Sequence, residues 1–143
     1  EGEYLVPLGV SEVKRPGRDV TVVAYSRMLL FALEAAKTLA AEGIEAEVID
    51  PRTLAPMDME PILASVKKTG RLVTVEEGCL IGGVGAEIAA KVMAEAFDYL
   101  DAPAIRVAAA DGPIPMSEPR ERQAVPDPAR IGEAVRGLVS LRI

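Results

Sequence analysis

Short apolar runs rich in β-branched residues alternate with alanine-rich stretches along most of this chain. Runs of this kind that are bounded by turn residues predict buried strands. The predicted strands are 19–26 (DVTVVAYS), 45–50 (EAEVID), 71–77 (RLVTVEE) and 102–110 (APAIRVAAA). Apolar residues at spacings of three and four predict helices that bury one face. The predicted helices are 28–40, 56–68, 83–96 and a last one that begins after Asp127.

Polar residues and glycine at the ends of the helical stretches predict where the helices begin and end. Ser26 and Asp58 stand where a side-chain oxygen can cap a first turn, and Asp127 followed by Pro128 gives the same signal for the last helix. Gly43 is expected to end the first helix.

Strands and helices that alternate in this way favour an α/β sandwich with a mainly parallel sheet, because each crossover helix must cover a face of the sheet. Residues 9–15 (GVSEVKR) are joined to the first of these strands by a short Pro-Gly-Arg turn and predict an antiparallel edge strand. Ligands and partners of such sheets meet the loops at the carboxyl ends of the strands. These loops contain SRM, DPRTLAPMD, EEGCLIGGVG and ADGPIPM, and the last one belongs to a predicted proline-rich loop, 111–126.

The glycine-rich loop 77–85 (EGCLIGGVG) leads from a strand into a helix, as a phosphate-binding loop does. Its sequence does not match such a loop, because Ile88 stands where a dinucleotide fingerprint needs a small residue and no Lys-Ser or Lys-Thr pair follows. Glu76, Glu77 and Glu87 would also surround a bound phosphate with negative charge. We therefore favour a tight turn that packs against a neighbouring chain, with phosphate binding as the alternative.

Composition and charge limit the possible functions. The 143 residues suffice for one domain with its own core. A net charge of −6 disfavours nucleic acid as a partner, and the apolar runs are far too short to span a membrane. The absence of histidine removes the commonest metal ligand and the commonest base at neutral pH, and a single cysteine excludes an intrachain disulfide. We expect a soluble, cytoplasmic protein that binds neither nucleic acid nor membrane.

Several motifs occur in an order and at spacings that are specific in combination. They are the stretch from VTVVAYSRML to DPRTLAPMD, then KKTGRLVTVEEG, GGVGAEIAA, LDAPAIRV and the pattern D-x-P-x-P at Asp111. In these motifs the chain resembles the C-terminal domain of the beta subunit of the 2-oxo acid dehydrogenase decarboxylase component, of which pyruvate dehydrogenase is the nearest kind. The resemblance covers nearly the entire chain, from VPLG to the final helix.

The resemblance implies a transketolase C-terminal fold, an α/β three-layer sandwich with a five-stranded, mostly parallel sheet and one antiparallel edge strand. Residues 1–143 would form this single domain, with 1–8 as an extended linker from a pyrimidine-binding domain. In that family thiamine diphosphate and Mg²⁺ bind between two other domains, so no cofactor, metal or catalytic residue is expected in this one. The parent enzyme decarboxylates a 2-oxo acid in the cytoplasm, or in the mitochondrial matrix of a eukaryote. This domain would contribute assembly and would be inactive alone.

The resemblance also implies partner surfaces. The residues expected to face other subunits are Arg52, Thr53, Leu54, Glu76, Glu77, Gly82, Gly83 and Gly85. Asp101 and Ile143 are expected to dock the subunit-binding domain of a dihydrolipoyl acyltransferase, although Asp101 could instead only turn the chain before Pro103. The expected partners are a second copy of the domain, the alpha subunit and that acyltransferase.

Some of these residues have simpler explanations. Glu76 and Glu77 could be an acid and base pair, but neighbouring side chains on a strand point to opposite faces, which favours interface or solvated charges. Arg52 could clamp an anion, or it could pair with Asp50 or Asp58, which are close in sequence. A stand-alone nucleotide- or anion-binding α/β module is the alternative function for the whole chain.

Overall fold

The computed structural model describes residues 5–141 and contains one sheet of five strands. The strands are β1 (Glu12–Arg15), β2 (Val20–Ala24), β3 (Ala46–Asp50), β4 (Leu72–Cys79) and β5 (Ile105–Ala109). They are ordered β1-β3-β2-β4-β5 across the sheet. β1 is antiparallel to β3, and the other pairings are parallel. The predicted mixed sheet with an antiparallel edge strand is confirmed.

Helices cover both faces of the sheet. They are α1 (Arg27–Ala41), α2 (Glu60–Thr69), α3 (Val84–Ala96), α4 (Glu118–Ala124) and α5 (Pro128–Ser140), and a short 3₁₀ turn, Phe97–Tyr99, follows α3. The core between the sheet and α1 and α5 contains Val22, whereas the core beneath α2 and α3 contains Val23. Side chains of the central strand β2 therefore alternate between two apolar layers. This explains why every residue of the strand is buried and why all of them except Thr21 are apolar.

The start of α2 differs from the prediction. The helix begins at Glu60 rather than at residue 56, and Asp58 does not occupy its N-cap position. The Asp58 carboxylate accepts hydrogen bonds from the backbone N–H groups of Ser11 (3.1 Å) and Glu60 (3.2 Å). Asp58 thus links the segment before β1 to α2, a tertiary contact that the local sequence does not reveal.

Two further predicted boundaries have different outcomes. Ser26 precedes α1 but makes no side-chain capping bond, and its backbone φ of 55° lies in the left-handed region. Asp127 does cap α5, because its Oδ1 accepts a hydrogen bond from the Arg130 N–H (2.8 Å).

The predicted loop 111–126 contains a helix, α4, that the sequence did not predict. This helix has no buried residue and so lacks the apolar periodicity that would have indicated it.

Glu47 is a buried carboxylate on β3, with 5% of its surface exposed. Its Oε2 accepts hydrogen bonds from Lys68 on α2 and from the Gly17 N–H (3.1 Å). Burial by itself raises the pKa of this carboxyl, but hydrogen bonds from Lys68, Ser65 and Gly17 outweigh burial and lower the pKa of Glu47 below its ordinary value. The ionised form is therefore the one that stabilises the fold.

Glu47→Gln should lower the free energy of unfolding by roughly 1 kcal/mol at neutral pH. Since the pKa is lower in the folded state, the stabilisation by the carboxylate is present above the ordinary value of 4.5 and is lost as the pH falls through the folded value. Urea unfolding at neutral pH and at about pH 3 should therefore show a difference from wild type that shrinks in acid. Glu34→Gln, at an exposed position of α1, is the matched control and should change little at either pH. An undiminished defect of Glu47→Gln in acid would contradict this account.

Candidate functional site

The glycine loop between β4 and α3 encloses the carboxylate of Glu76. This residue is 1% exposed, and its Oε1 accepts a hydrogen bond from the Gly85 N–H (2.9 Å) in the first turn of α3. Its Oε2 accepts a hydrogen bond from the hydroxyl of Tyr25 (3.1 Å), which directly follows β2. A helix N-terminus favours a negative charge at this position. One buried side chain therefore joins β4 to α3 and to the end of β2.

The glycines of this loop leave room for that carboxylate. A Cβ at Gly83 would lie 2.4 Å from the carbonyl oxygen of Cys79 and 2.5 Å from Glu76 Oε1. A Cβ at Gly85 would lie 2.4 Å from Thr74 Oγ1 and 2.7 Å from Glu76 Oε1. Both positions thus exclude a side chain unless the surroundings shift. The anion beside this glycine turn is the chain's own carboxylate, which argues against phosphate binding there.

The hydroxyl of Tyr25 is held in its protonated form by this arrangement. Burial, followed by the negative charges of Glu76 and Glu77, raises the pKa of Tyr25 far above its ordinary value. Because the folded-state pKa is the higher one, the contribution of the protonated hydroxyl to stability is present at neutral pH and is lost only as the pH rises through that value. At neutral pH, Tyr25 therefore keeps the proton that it donates to Glu76.

The side chains of Glu77 and Glu76 point to opposite faces of the sheet, as predicted for neighbouring residues on a strand. Its Oε1 is 3.6 Å from Nη1 of Arg27 at the start of α1. The same guanidinium is 3.2 Å from Glu121 Oε1 on α4, and it lies over the ring of Phe31, 5.2 Å from the centroid. Glu77 therefore belongs to an ion-pair cluster on the α1 side of the sheet. The two carboxylates have different partners and do not form an acid and base pair.

Arg52 forms an ion pair, but not with the predicted partner. Its side chain is 13% exposed and pairs with Glu12 on β1. Its backbone N–H donates to Asp50 Oδ1 (2.8 Å). Glu12 lies opposite Asp50 in the antiparallel ladder, which brings the Glu12 carboxylate to Arg52. The prediction of an ion pair with Asp50 or Asp58 was therefore wrong in its partner, because the strand pairing could not be derived from sequence distance.

Thr53 holds the same loop through its hydroxyl, which accepts from the Gly9 N–H (3.0 Å) and donates to the carbonyl of Pro56 (2.7 Å). Leu54 is 42% exposed next to it. The loop borders a cleft of about 500 Å³, whose lining includes Val6, Lys14, Tyr25, Ser26, Asp50 and Leu54. Arg52 and Thr53 thus fix the loop through contacts within the chain, and the Leu54 side chain is left partly exposed.

Other exposed apolar side chains lie in the loops at the carboxyl ends of the strands. Ile81 is 80% exposed, and Met116 is fully exposed. The Ile81 N–H donates to Asp111 Oδ1 (3.1 Å), so the loop after β4 lies beside the loop after β5. We define the carboxyl-edge surface as Leu54, Leu80, Ile81, Ile114 and Met116. Sequence reasoning missed all of these except Leu54, although apolar residues inside turn-rich segments were the available signal.

The turn at Gly82 has its own backbone requirement. Gly82 has a φ of 73°, and a Cβ there would meet no atom within 4 Å. The left-handed backbone, rather than lack of space, therefore favours glycine at this position.

Asp101 lies at the opposite edge of the sheet, before β5 begins. Its side chain is 63% exposed, and its Oδ2 is 3.8 Å from Nη1 of Arg71. Its backbone N–H donates to the carbonyl of Gly70 (2.8 Å), and a Cβ at Gly70 would lie only 2.3 Å from Asp101 Oδ2. Asp101 therefore both shapes the turn before β5 and presents an oriented carboxylate to solvent.

An apolar groove of about 490 Å³ borders Asp101. Met93 and Phe97, which are 49% and 60% exposed, form part of it. We define the amino-edge groove as Ala89, Met93, Phe97, Leu100, Pro103 and Ala104. Ile143, the other predicted docking residue, lies outside the described residues.

Between residues 5 and 141, no group of three or more His, Cys, Asp or Glu side chains could hold a metal ion. Over the same range, no helix has the length and apolar character needed to cross a membrane.

Residues 9–131 match the family described as the transketolase C-terminal domain. The chain belongs to this family. It is 51% identical over 134 residues to the mitochondrial pyruvate dehydrogenase E1 component subunit beta of Dictyostelium discoideum, a match that covers 94% of this chain and 38% of that protein. It is 45% identical over 136 residues to the E1 component subunit beta of Rhizobium meliloti (strain 1021), covering 95% of this chain and 30% of that protein. The predicted resemblance to such beta subunits is confirmed.

Solved structures show the same fold. A chain described as a split-gene transketolase, inactive beta4 tetramer, has a TM-score of 0.83 and 35% identity over 96% of this chain and 45% of that one. A 2-oxoglutarate:ferredoxin oxidoreductase from Magnetococcus marinus matches in fold alone, with a TM-score of 0.60 and 17% identity over 92% of this chain and 19% of that one. The chain spans only 38% and 30% of the two curated beta subunits.

Proposed function

We propose that this chain is the subunit-assembly and acyltransferase-docking domain of a thiamine diphosphate-dependent 2-oxo acid dehydrogenase, in a beta subunit of the pyruvate dehydrogenase kind. The observation that carries the proposal is the position of two exposed apolar surfaces. The carboxyl-edge surface lies in the loops that come after the parallel strands end. The amino-edge groove and Asp101 lie before β5 begins, at the opposite end of the strands. Exposed apolar patches mark interaction sites, and two of them at opposite edges suit a domain that binds different partners at once.

The subunit interface proposed for the carboxyl edge assigns different roles to its residues. Leu54 would contact a neighbouring subunit directly, because it is exposed. Glu77 is partly exposed and could add charge at the rim. Arg52, Thr53 and the turn from Gly82 to Gly85 would shape the surface, since their polar contacts lie within the chain. The proposed neighbours are the alpha subunit and a second copy of this domain.

The glycine turn before α3 does not fit the diphosphate group of thiamine diphosphate. The glycine turn at the N-terminus of α3 is filled by the Glu76 carboxylate, which would repel a diphosphate. The acidic side chains between residues 5 and 141 form no group that could hold a divalent cation. We infer that the cofactor binds elsewhere in the parent enzyme and that this domain is inactive alone, in the cytoplasm of a bacterium or the mitochondrial matrix of a eukaryote.

Activity of the isolated chain tests the assembly role. Supplied with thiamine diphosphate and Mg²⁺, the folded chain should release no CO₂ from pyruvate above the rate without protein. Circular dichroism confirms that the chain is folded in the same buffer. Turnover that scales with protein concentration would contradict the proposal, because it would require a complete active site within these residues.

Self-association tests the carboxyl-edge surface. We expect the chain to dimerise at high concentration, and we expect Ile81→Asp to shift it toward monomer by placing a charge in the apolar contact. Sedimentation velocity over a concentration series gives the dissociation constant. Leu30→Asp is the matched control, because Leu30 is 65% exposed on α1 and belongs to neither surface. A dimer that Leu30→Asp weakens and Ile81→Asp does not would place the contact elsewhere.

A further inference from the structure

The loop that carries Leu80 and Ile81 is wrapped around the Glu76 carboxylate. A Cβ at Gly78, before this tip, would lie 3.1 Å from Glu76 Oε2, and a Cβ at Gly83, after the tip, would lie 2.5 Å from Oε1. Both sides of the loop thus approach one buried carboxyl group. The two apolar residues between them are 38% and 80% exposed.

The other contacts of the loop tip are closer to solvent. Arg106 Nη1 donates to the carbonyl of Leu80 (2.8 Å), and Asp111 Oδ1 accepts from the Ile81 N–H (3.1 Å), both in exposed surroundings. Water competes for such bonds, so they hold a loop weakly. The bond between Glu76 Oε1 and the Gly85 N–H is buried and loses no strength to water. The buried bond therefore anchors the end of the loop, where α3 begins, to β4.

The same carboxylate fixes a second segment of the carboxyl edge. Its Oε2 accepts from Tyr25, and the next residue, Ser26, has the uncommon φ of 55° at the junction between β2 and α1. A non-glycine residue in this region persists only where its surroundings hold it. Tyr25 and Ser26 also line the cleft that borders Leu54. The Glu76 side chain thus links the loop that carries Leu80 and Ile81 to the cleft that borders Leu54.

We propose that Glu76 is a positioning residue whose two carboxylate oxygens hold the β4–α3 loop and the β2–α1 junction in the arrangement that presents Leu80, Ile81 and Leu54 to a second copy of this domain. The inference rests on the proposed role of the carboxyl edge in subunit packing. Glu76 acts through its hydrogen bonds: a glutamine could still accept from the Gly85 N–H through its amide oxygen, and its amide N–H could keep the contact with Tyr25 by donating to the hydroxyl oxygen.

Amide hydrogen exchange tests the positioning directly. In Glu76→Ala, the protection of the Gly85 amide and of the amides in residues 78–83 should fall by about tenfold or more, which corresponds to the loss of one buried hydrogen bond. Glu76→Gln should restore protection to within a few fold of wild type. Glu77→Ala, the neighbouring carboxylate with other partners, should leave these amides unchanged. Unchanged protection in a folded Glu76→Ala chain would overturn the proposal.

Self-association then tests the consequence for packing. Glu76→Ala should weaken dimerisation by about tenfold at a concentration where circular dichroism shows a folded chain, whereas Glu76→Gln should restore it. A purely structural effect would lower the melting temperature without changing the dissociation constant of the folded chain, and that result would also overturn the proposal. If wild type itself stays monomeric, the proposed packing role fails, and the exchange experiment still decides whether Glu76 positions the loop.

A second variant serves if Glu76→Ala does not fold. Tyr25→Phe removes the hydroxyl bond to Glu76 Oε2 without creating a cavity. It should increase amide exchange at residues 25–28 and weaken dimerisation, while the Gly85 amide keeps its protection. Wild-type exchange at the β2–α1 junction together with wild-type dimerisation would overturn the proposed link between Glu76 and that junction.

Discussion

Gly85→Ala should destabilise the fold by roughly 1–3 kcal/mol, although alanine is by itself the better helix former. Gly85 lies in the first turn of α3, and the added Cβ would lie 2.4 Å from Thr74 Oγ1 and 2.7 Å from Glu76 Oε1. Both neighbours are buried, so neither can move into solvent. The new methyl group would have to displace α3 or break the hydrogen bond between Glu76 and the Gly85 N–H.

Urea unfolding followed by circular dichroism measures this effect. The matched control is Gly137→Ala in α5, because a Cβ there meets no atom within 4 Å. That variant should gain about 0.5–1 kcal/mol from helix propensity alone. A Gly85→Ala chain as stable as Gly137→Ala would show that Glu76 and Thr74 are not packed against the helix as described.

Asp101→Ala should weaken binding of the acyltransferase subunit-binding domain by about tenfold, or roughly 1.4 kcal/mol. The backbone of Asp101 is fixed by the bond from its N–H to the Gly70 carbonyl, and Arg71 Nη1 lies 3.8 Å from the carboxylate, so less conformational freedom is lost when a cationic partner binds it. The neighbouring amino-edge groove offers apolar contacts that should remain in the variant. We therefore expect weakened binding rather than complete loss.

Asp98→Ala is the control for this second prediction, because Asp98 is also acidic and exposed, in the 3₁₀ turn after α3. It should change the affinity less than Asp101→Ala does at physiological salt. Equal effects of the two variants would indicate general attraction to negative charge. In that case the oriented carboxylate of Asp101 would have no specific role in docking.

The fold could be predicted because its signals are local. Strand β2 is an uninterrupted buried run, and the helices after it show regular apolar spacing, so the alternating order is visible in the sequence. The start of α5 could be predicted because the capping residue Asp127 and the first-turn residue Pro128 are adjacent in the sequence. The short helix α4 was missed because it buries no residue and therefore shows no apolar periodicity, and one of its contacts, the ion pair between Glu121 and Arg27, joins it to a distant element.

The interaction surfaces could be predicted only in part, because their contacts join distant segments. The sequence predicted that the Glu76 and Glu77 side chains point to opposite faces of the sheet, because this follows from the geometry of a strand. The enclosure of Glu76 by glycines was not, since it depends on how Tyr25, the loop and α3 meet in space. The partner of Arg52 depended in the same way on the register between β1 and β3.

Calorimetric titration of the chain with the subunit-binding domain of a dihydrolipoyl acyltransferase tests the central claim most directly. The chain is first shown to be folded by circular dichroism, and the titration is repeated at higher salt, where the contribution of Asp101 should decrease. We predict saturable binding with a fixed stoichiometry. Absence of binding to the folded chain would contradict the docking role and would leave only the proposed subunit packing at the carboxyl edge.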